Sequence, residues 1–557
     1  MWPNVIRAAL LAGVASAAVL TSSIVAAKFG HDPALGNPWL WGWLYAPPAA
    51  WRWWQAWGHA DPYRATFLQG LSLAAIVAVA PAALVRMAQM YGPLRLDESN
   101  AESGLGRPVD LRRSGHISKR VSGIVLGRAG RFGKVLRDQG DGHFLGLGPS
   151  RSGKGTTWIV PTALTHPGSM VIFDPKGELA AITGRQRRRY GDVHIFNPTS
   201  RQSARFNPLL ELRDGEHLRG DAQMAAHMLA YDGTGDGKDK FFDPAAAQLL
   251  TYIITHVCTH GDHTLGHVAA VAREIQAGKY PKHGEPDVLA HFAAHHKTND
   301  RTRDSINATV TTRLAMMDDP IVRHATSESD FRAGDLMAED DPVAVYLSIP
   351  AAHSSRLRPV TRLVLQAIWS AMTHDEHVTS DGRIKQRGCL ALIDEFPQLG
   401  QMDVIEKGIA VCAGYGLRVA LICQDEDQIR KIYGASQSIT ANCSTIAVIP
   451  GFSGQSLRTI QGWAGEHTVF HASRQYGFKG TTNQSESETR RSVLNARSLL
   501  LRGKEEVLIF THGVPPTWLR KIRYYREQPF KRMSDRKTVS QPAMTKREAL
   551  PPWLQTI

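Results

Sequence analysis

Residues 143–157 read His-Phe-Leu-Gly-Leu-Gly-Pro-Ser-Arg-Ser-Gly-Lys-Gly-Thr-Thr, and Trp158-Ile159-Val160-Pro161 follows. A short apolar run leads into Gly148-x-x-x-x-Gly153-Lys154, and an apolar helical stretch continues from it. Strand, glycine loop and helix start together are the context a phosphate-binding loop requires; an ordinary Gly-rich turn needs neither flank. The glycines let backbone N–H groups converge on phosphate oxygens, and the helix dipole adds positive potential at the same point. On this reading Gly148, Ser150, Arg151, Ser152, Gly153, Lys154, Gly155, Thr156 and Thr157 surround a nucleoside triphosphate, with Lys154 on the β- and γ-phosphates. The residue after the lysine is ordinarily Ser or Thr, whose hydroxyl holds Mg²⁺. Here it is Gly155, with Thr156 next. Either Thr156 supplies the hydroxyl, or the metal leans on other ligands and water.

A phosphate loop needs a partner acid. Cys389-Leu-Ala-Leu-Ile-Asp394-Glu395 is an apolar run ending in two carboxylates, the pattern of a buried parallel strand emerging at a ligand crevice. Asp394 is expected to hold Mg²⁺ directly or through water, and Glu395 to act as general base on the attacking water. Without the phosphate loop upstream, a solvated acidic turn would explain the pair equally well. Leu417-Arg-Val-Ala-Leu-Ile-Cys-Gln424 is a further strand with a polar amide at its end. If it neighbours the acidic strand, Gln424 enters the same crevice and can position water or sense the γ-phosphate. Strands are also expected at Ser169–Asp174, Val343–Ile349, Glu506–Phe510 and Lys521–Tyr525. Strands alternating with helices predict a doubly wound α/β domain with a mainly parallel sheet.

From about 209 to 330 the periodicity becomes helical, for example over Asp221–Tyr231, Pro244–Val257, Thr264–Ile275 and Arg303–Met317. The block interrupts the α/β pattern and predicts an inserted all-α domain, either a substrate receiver or scaffolding. It holds His256, Cys258, His260, His263 and His267, residue types that ligate zinc. The run crosses Gly261-Asp262, which works against convergence, and no metal centre is assigned. The polar stretch Ser485–Thr489 is expected to be an exposed loop, and 531–557 a flexible basic tail.

The first ninety residues have a different character. Residues 8–27 and 65–85 carry no charge. Each is long enough to cross about 30 Å of hydrocarbon as a helix. The first also fits loosely as a cleaved signal peptide, although its apolar run exceeds the usual length. Between them, 28–64 contains seven of the chain's 13 Trp, from Trp39 to Trp57. Trp favours the membrane–water boundary, so the loop either lies against the outer face of a bilayer or packs on itself or a partner. Basic residues from Arg86 to Arg113 favour a cytosolic body, as does a site for ATP. The net charge is +14, which suits a polyanion or an anionic membrane surface without choosing between them. Hydrophobic residues at 43% exclude a disordered or fibrous chain. Five isolated Cys in 557 residues exclude a disulfide scaffold.

The motifs in order are two apolar spans, Gly-Pro-Ser-Arg-Ser-Gly-Lys-Gly-Thr, Asp174-Pro-Lys-Gly-Glu-Leu179, Asn207-Pro208-Leu209 and a helical insertion. Asp394-Glu395-Phe396, Gly414-Tyr415-Gly416-Leu417-Arg418, Gln424 and Tyr433-Gly434 complete them. Over almost its whole length the chain resembles the type IV coupling proteins of the TraG-like kind, where a Gly after the loop lysine is familiar. The resemblance implies a RecA/FtsK-like P-loop motor with an inserted all-α substrate-recognition domain and two N-terminal transmembrane helices. The implied parts are a membrane anchor (1–90), a nucleotide-binding domain in two pieces (91–208 and 331–530), the insertion (209–330) and the tail. It also implies ATP and Mg²⁺ at Lys154, Thr156, Asp394, Glu395 and Gln424, a homo-hexamer, and an arginine from the neighbouring subunit, with Arg418 and Arg430 as candidates. The implied setting is the bacterial inner membrane, with the body in the cytoplasm. Implied partners are the membrane components and ATPases of a type IV secretion system, with protein effectors, relaxase-bound single-stranded DNA or both as cargo. Two other readings are an FtsK-like double-stranded DNA pump, for which the C-terminal tail is too short to hold a DNA-reading domain, and a membrane receptor that binds nucleotide without turnover.

Overall fold

The computed structural model describes residues 19, 21–39, 44–46, 48–61, 64–69, 72, 104–119, 122–130, 133–231, 243–476, 482–494, 499, 502 and 504–534. The chain divides into two compact units, 1–96 and 97–557.

In the first unit, Ala49–Trp57 is helical. Trp53 is buried with Val25, Leu35, Tyr45 and Phe67. Its indole N–H donates to Leu35 O at 3.1 Å, which satisfies the polar atom that burying Trp takes out of water. Tyr45 meets it edge to face at 5.1 Å. Trp39 and Trp51 stay 63% and 64% exposed. The Trp-rich segment therefore packs on itself and still presents indoles to its surroundings. Among the described residues no helix is long and apolar enough to cross a membrane. The spans expected at 8–27 and 65–85 lie mostly outside the described residues.

The second unit is built on one large sheet. Its strands in chain order are β1 (Ile117–Ser118), β2 (Ile124–Arg128), β3 (Val135–Asp138), β4 (His143–Leu147), β5 (Ser169–Phe173), β6 (Val193–Phe196), β7 (Ala344–Leu347), β8 (Cys389–Ile393), β9 (Leu417–Cys423) and β10 (Cys443–Val448). After them come β11 (Glu466–Tyr476), β12 (Thr482–Ser492), β13 (Glu506–Thr511) and β14 (Val514–Arg520). The spatial order is β1-β3-β2-β14-β13-β10-β4-β9-β8-β5-β7-β6. From β10 to β6 every pair is parallel. The other end, from β13 to β1, is antiparallel.

The parallel strands are buried on both faces, so they read as unbroken apolar runs rather than alternating ones. Their side chains nonetheless sort by parity. Leu145, Val171, Val345, Ala391, Val419 and Leu421 belong to one core. Phe144, Met170, Tyr346, Leu390, Ala420 and Ile422 belong to the other. Trp158 and Leu164, from the helical stretch after the phosphate loop, cover the second face.

Helices Leu218–Ala230, Asp243–His260, Leu265–Gln276, Pro286–His296 and Asp300–Leu314 make up the expected helical block. Leu229, Leu250 and Ile254 share a single core with Leu145, Val171 and Leu363. The block is thus a layer continuous with one face of the sheet.

Two local expectations change. Lys521–Tyr525 is not a strand; the last strand is β14, which contains Pro515 and Pro516. Prolines cannot donate to a ladder, and here they fall at an irregularity in the β13–β14 register, between Ile509 and Thr511. Residues 485–489, expected as a loop, lie in β12, which pairs antiparallel with β11 as a two-stranded ribbon. A short helix, Phe530–Ser534 with Phe530 buried, runs into the first residues of the expected tail, and the rest of the tail lies outside the described residues.

Arg418 stands near the N-terminal end of β9. Its guanidinium pairs with Asp138 at 2.8 Å and donates to the Gly142 and Asp138 carbonyls. Asp138 is fully buried. Arg418→Ala leaves that carboxylate without its counter-charge, so the unfolding free energy should fall by about 3–5 kcal/mol, read from the urea midpoint.

Candidate active site

The phosphate loop leaves β4 at its C-terminal end. Its first amide, Gly148 N, donates to Cys423 O at the end of β9 at 3.3 Å. Arg151 adopts φ 59° and Gly153 φ 97°, so the chain turns sharply twice within three residues. Lys154 is 7% exposed, and Nζ donates to Gly148 O at 2.6 Å. Its ammonium lies 3.6 Å from Glu395 Oε1. The lysine of one motif and the second acid of the other therefore meet, although some 240 residues separate them.

Gly155–Ile159 forms a turn of π-helix before the α-helix Val160–Thr165. The π-turn is one residue wider than an α-turn. Thr156 Oγ1 donates to Gly153 O at 2.9 Å, which keeps its hydroxyl at the loop. Thr157 faces elsewhere, towards Ile522 O at 3.4 Å, and is buried. Ser150 and Arg151 are exposed. The Ser152 hydroxyl is buried without a hydrogen-bond partner among the described residues.

Asp394 follows β8, and its amide donates to Phe173 O of β5 at 3.3 Å. Burial, with the charge of Glu395 adding to it, pushes its carboxyl up to about 7 against the opposing pull of Lys154 and Lys176. Asp174, at the end of β5, is also pushed up by burial, to about 6, against backbone N–H donors including Leu179 and Ala180. Asp174, Asp394 and Glu395 thus follow the C-terminal ends of two neighbouring strands at one rim of the sheet. A Thr hydroxyl and a carboxylate are hard oxygen donors of the kind Mg²⁺ takes, with water and phosphate completing its shell. Glu395 takes a left-handed backbone conformation, φ 49° and ψ 44°. Gln424 follows β9, which lies between β4 and β8, and so stands between the loop and the acids. Among the described residues no group of three or more His, Cys, Asp or Glu is placed to hold a metal. His256 and His260 instead stack ring on ring at 5.4 Å.

The sequence reading gave no role to Asp174, whose carboxylate accepts from Leu179 N and Ala180 N at the start of the helix Glu178–Arg187. It missed Lys521 altogether; Lys521 Nζ donates to Ser152 O at 2.9 Å. Of the two candidate arginines, Arg418 lies at the far end of its strand. Arg430 lies on Glu426–Tyr433, the helix that follows Gln424, half-exposed and 3.3 Å from Glu426.

The family model for type IV secretory system conjugative DNA transfer matches residues 110–548. The chain belongs to this family of type IV coupling proteins. It is 30% identical to a conjugal transfer protein TraG of Escherichia coli over 467 residues, 75% of this chain and 73% of the relative. It is 26% identical to protein VirD4 of Agrobacterium fabrum over 505 residues, 86% of this chain and 72% of the relative. The bacterial conjugative coupling protein TrwBdeltaN70 in its unbound form superposes with a TM-score of 0.57 at 16% identity, covering 74% of this chain and 91% of that one. The plasmid coupling protein TrwB in complex with ADP and Mg²⁺ gives 0.57 at 15%, covering 75% and 93%. These two likenesses show that the chain shares the fold of those coupling proteins.

Folding raises the Asp394 pKa, so ionisation costs stability as pH climbs from about 4, the unfolded value, to about 7. Asp394→Asn carries no such cost. Its urea midpoint should exceed the parent's at pH 8 by the equivalent of about 1–3 kcal/mol, and the difference should close as pH falls to 4.

Proposed function

We propose that this coupling protein is an ATPase that binds Mg·ATP on the rim where Lys154 meets Glu395, and that hydrolysis drives delivery of cargo to a type IV secretion system. The contact at 3.6 Å between Lys154 Nζ and Glu395 Oε1 carries the reading. Lys154 and the loop N–H groups bind the β- and γ-phosphates. Asp394 and Thr156 would hold Mg²⁺, which when bound neutralises charge developing on the phosphates. Glu395 accepts the proton of the attacking water, and its approach to Lys154 means that an arriving triphosphate competes for the lysine and frees the carboxylate. Gln424 orients the water from the intervening strand. TrwB carries ADP and Mg²⁺ on the same fold, which supports the choice of ligands.

The reading extends to a hexamer in the bacterial inner membrane, anchored by spans at 8–27 and 65–85, with the second unit in the cytoplasm. Arg430, on the nucleotide rim, is the preferred arginine for a neighbouring site. The family description supports conjugative DNA as cargo, with secreted proteins as further substrates of the same route.

Removing a general base costs about 10²–10⁴-fold in rate. Glu395→Gln should therefore bind ATP and hydrolyse it slower by that factor, while Lys154→Ala should lose triphosphate affinity. Phosphate release and nucleotide titration on the purified full chain read both. A Glu395→Gln protein with parental turnover would refute the assignment, and a parent that binds ATP without turnover would make the chain a receptor.

A further inference from the structure

The segment after β14 is held tightly against the phosphate loop. Lys521 N donates to Glu505 O at 2.8 Å, which fixes the start of the segment. Two residues on, Arg523 N donates to Glu527 Oε1 at 3.0 Å, and Glu527 pairs with Arg128 at 2.8 Å. Arg523 also pairs with Glu505. Between these anchors, Ile522 O accepts from Thr157 Oγ1. The Lys521 side chain is 7% exposed and reaches Ser152 O at 2.9 Å.

We infer that Lys521 is a positioning residue for nucleotide, a second lysine that sets the shape of the phosphate loop from beneath by holding the Ser152 carbonyl. The inference rests on the ATP reading above. In a trans peptide the C=O and the following N–H point in opposite directions. Fixing Ser152 O on the ammonium therefore aims Gly153 N–H away from Lys521. Gly153 sits at φ 97°, so the peptide on its N-terminal side needs an external hold to keep one orientation. A neutral donor would hold a carbonyl as well; burying an ammonium for that purpose is costly. What the charge adds is positive potential under a loop that receives a polyanion. Burial pulls Lys521 down to about 8, with Glu505 raising it and Arg523 lowering it, so the group is still charged at neutral pH.

The test is ADP titration and steady-state ATPase on the detergent-solubilised full chain. Lys521→Met keeps the length and removes the charge. A hydrogen bond to a charged group is worth enough that ADP affinity should fall about tenfold or more. KM for ATP should rise in parallel, with kcat within about twofold of the parent, because Lys521 touches no reacting atom. Lys521→Arg should restore most of the affinity. A folded Lys521→Met protein that binds ADP like the parent would overturn the inference, as would a Lys521→Arg protein as weak as Lys521→Met. If Lys521→Met does not fold, Lys521→Gln makes the same comparison of charge against length. A parent that binds no ADP refutes the proposed function itself, whereas a parent that binds well beside unaffected Lys521 variants refutes only this step.

Discussion

β9 lies between β4 and β8, and this one fact of strand order governs the site. Adjacent strands are about 4.8 Å apart, so the phosphate loop and the acidic pair leave the sheet roughly 10 Å from each other. Only two long side chains can close that gap, one from each side. Lys154 and Glu395 are such a pair, and they meet at 3.6 Å. The left-handed backbone at Glu395 helps, because it turns the chain immediately after β8. A non-glycine residue in that conformation costs of order 1–3 kcal/mol and persists where its surroundings impose it. Phe396, fully buried, pins the chain on the far side of the turn. The gap also leaves room for a residue from the middle strand, and Gln424 stands there.

The motifs that carry chemistry were legible because they are local. A glycine loop announces itself by composition, and a strand buried on both faces announces itself as an apolar run ending in polar residues. Cys389–Ile393 and Leu417–Cys423 were readable on that basis. What could not be read is what depends on pairing. The position of β9 between its neighbours is a long-range fact with no local signal. β14 was obscured by Pro515-Pro516, which argue against a strand until the register irregularity beside them is known. β12 was obscured by its polarity, since Thr482–Ser492 carries no alternating apolar residues to mark a strand. Lys521 was invisible for the same reason as β14, because its reach to Ser152 depends on where that strand ends. The helical block was legible as helices, but its union with the sheet was not. Leu229 and Leu250 would read the same in a separate globule.

Gly155 raised a chemical question in the sequence that the backbone now narrows. A Cβ added there would meet nothing within 4 Å, so the chain's own packing does not forbid a Ser or Thr. The residue is instead where a π-turn begins, and glycine offers the least resistance to an unusual helical start. An α-turn advances about 100° per residue and a π-turn less, so the wider turn holds the next side chain nearer to the loop. Thr156 fits that position, with its hydroxyl on Gly153 O. Local widening and the one-residue displacement of the hydroxyl are thus two aspects of a single adjustment.

The continuity of the helical layer with the sheet bears on how a chemical event at the rim is felt elsewhere. Arg362 is buried on the long helix Ser354–Met372. Its guanidinium donates to Tyr231 O, just past the end of Leu218–Ala230, and to Gln401 O at 2.8 Å. Gln401 lies six residues after Glu395, beyond the short turn Phe396–Leu399. Tyr433 OH holds the same loop through Gly400 O at 3.2 Å, and Tyr433 ends the helix that starts beyond Gln424. One buried guanidinium thus ties the loop after Glu395 to the first long helix of the block, and one phenol ties the same loop to the helix that follows Gln424. Buried donors of this kind lose their acceptors only at a cost of about 1–3 kcal/mol each, so these bonds oppose independent movement of the loop and the block. The Lys154–Glu395 contact thus stands next to a hydrogen-bonded network that includes the helical layer.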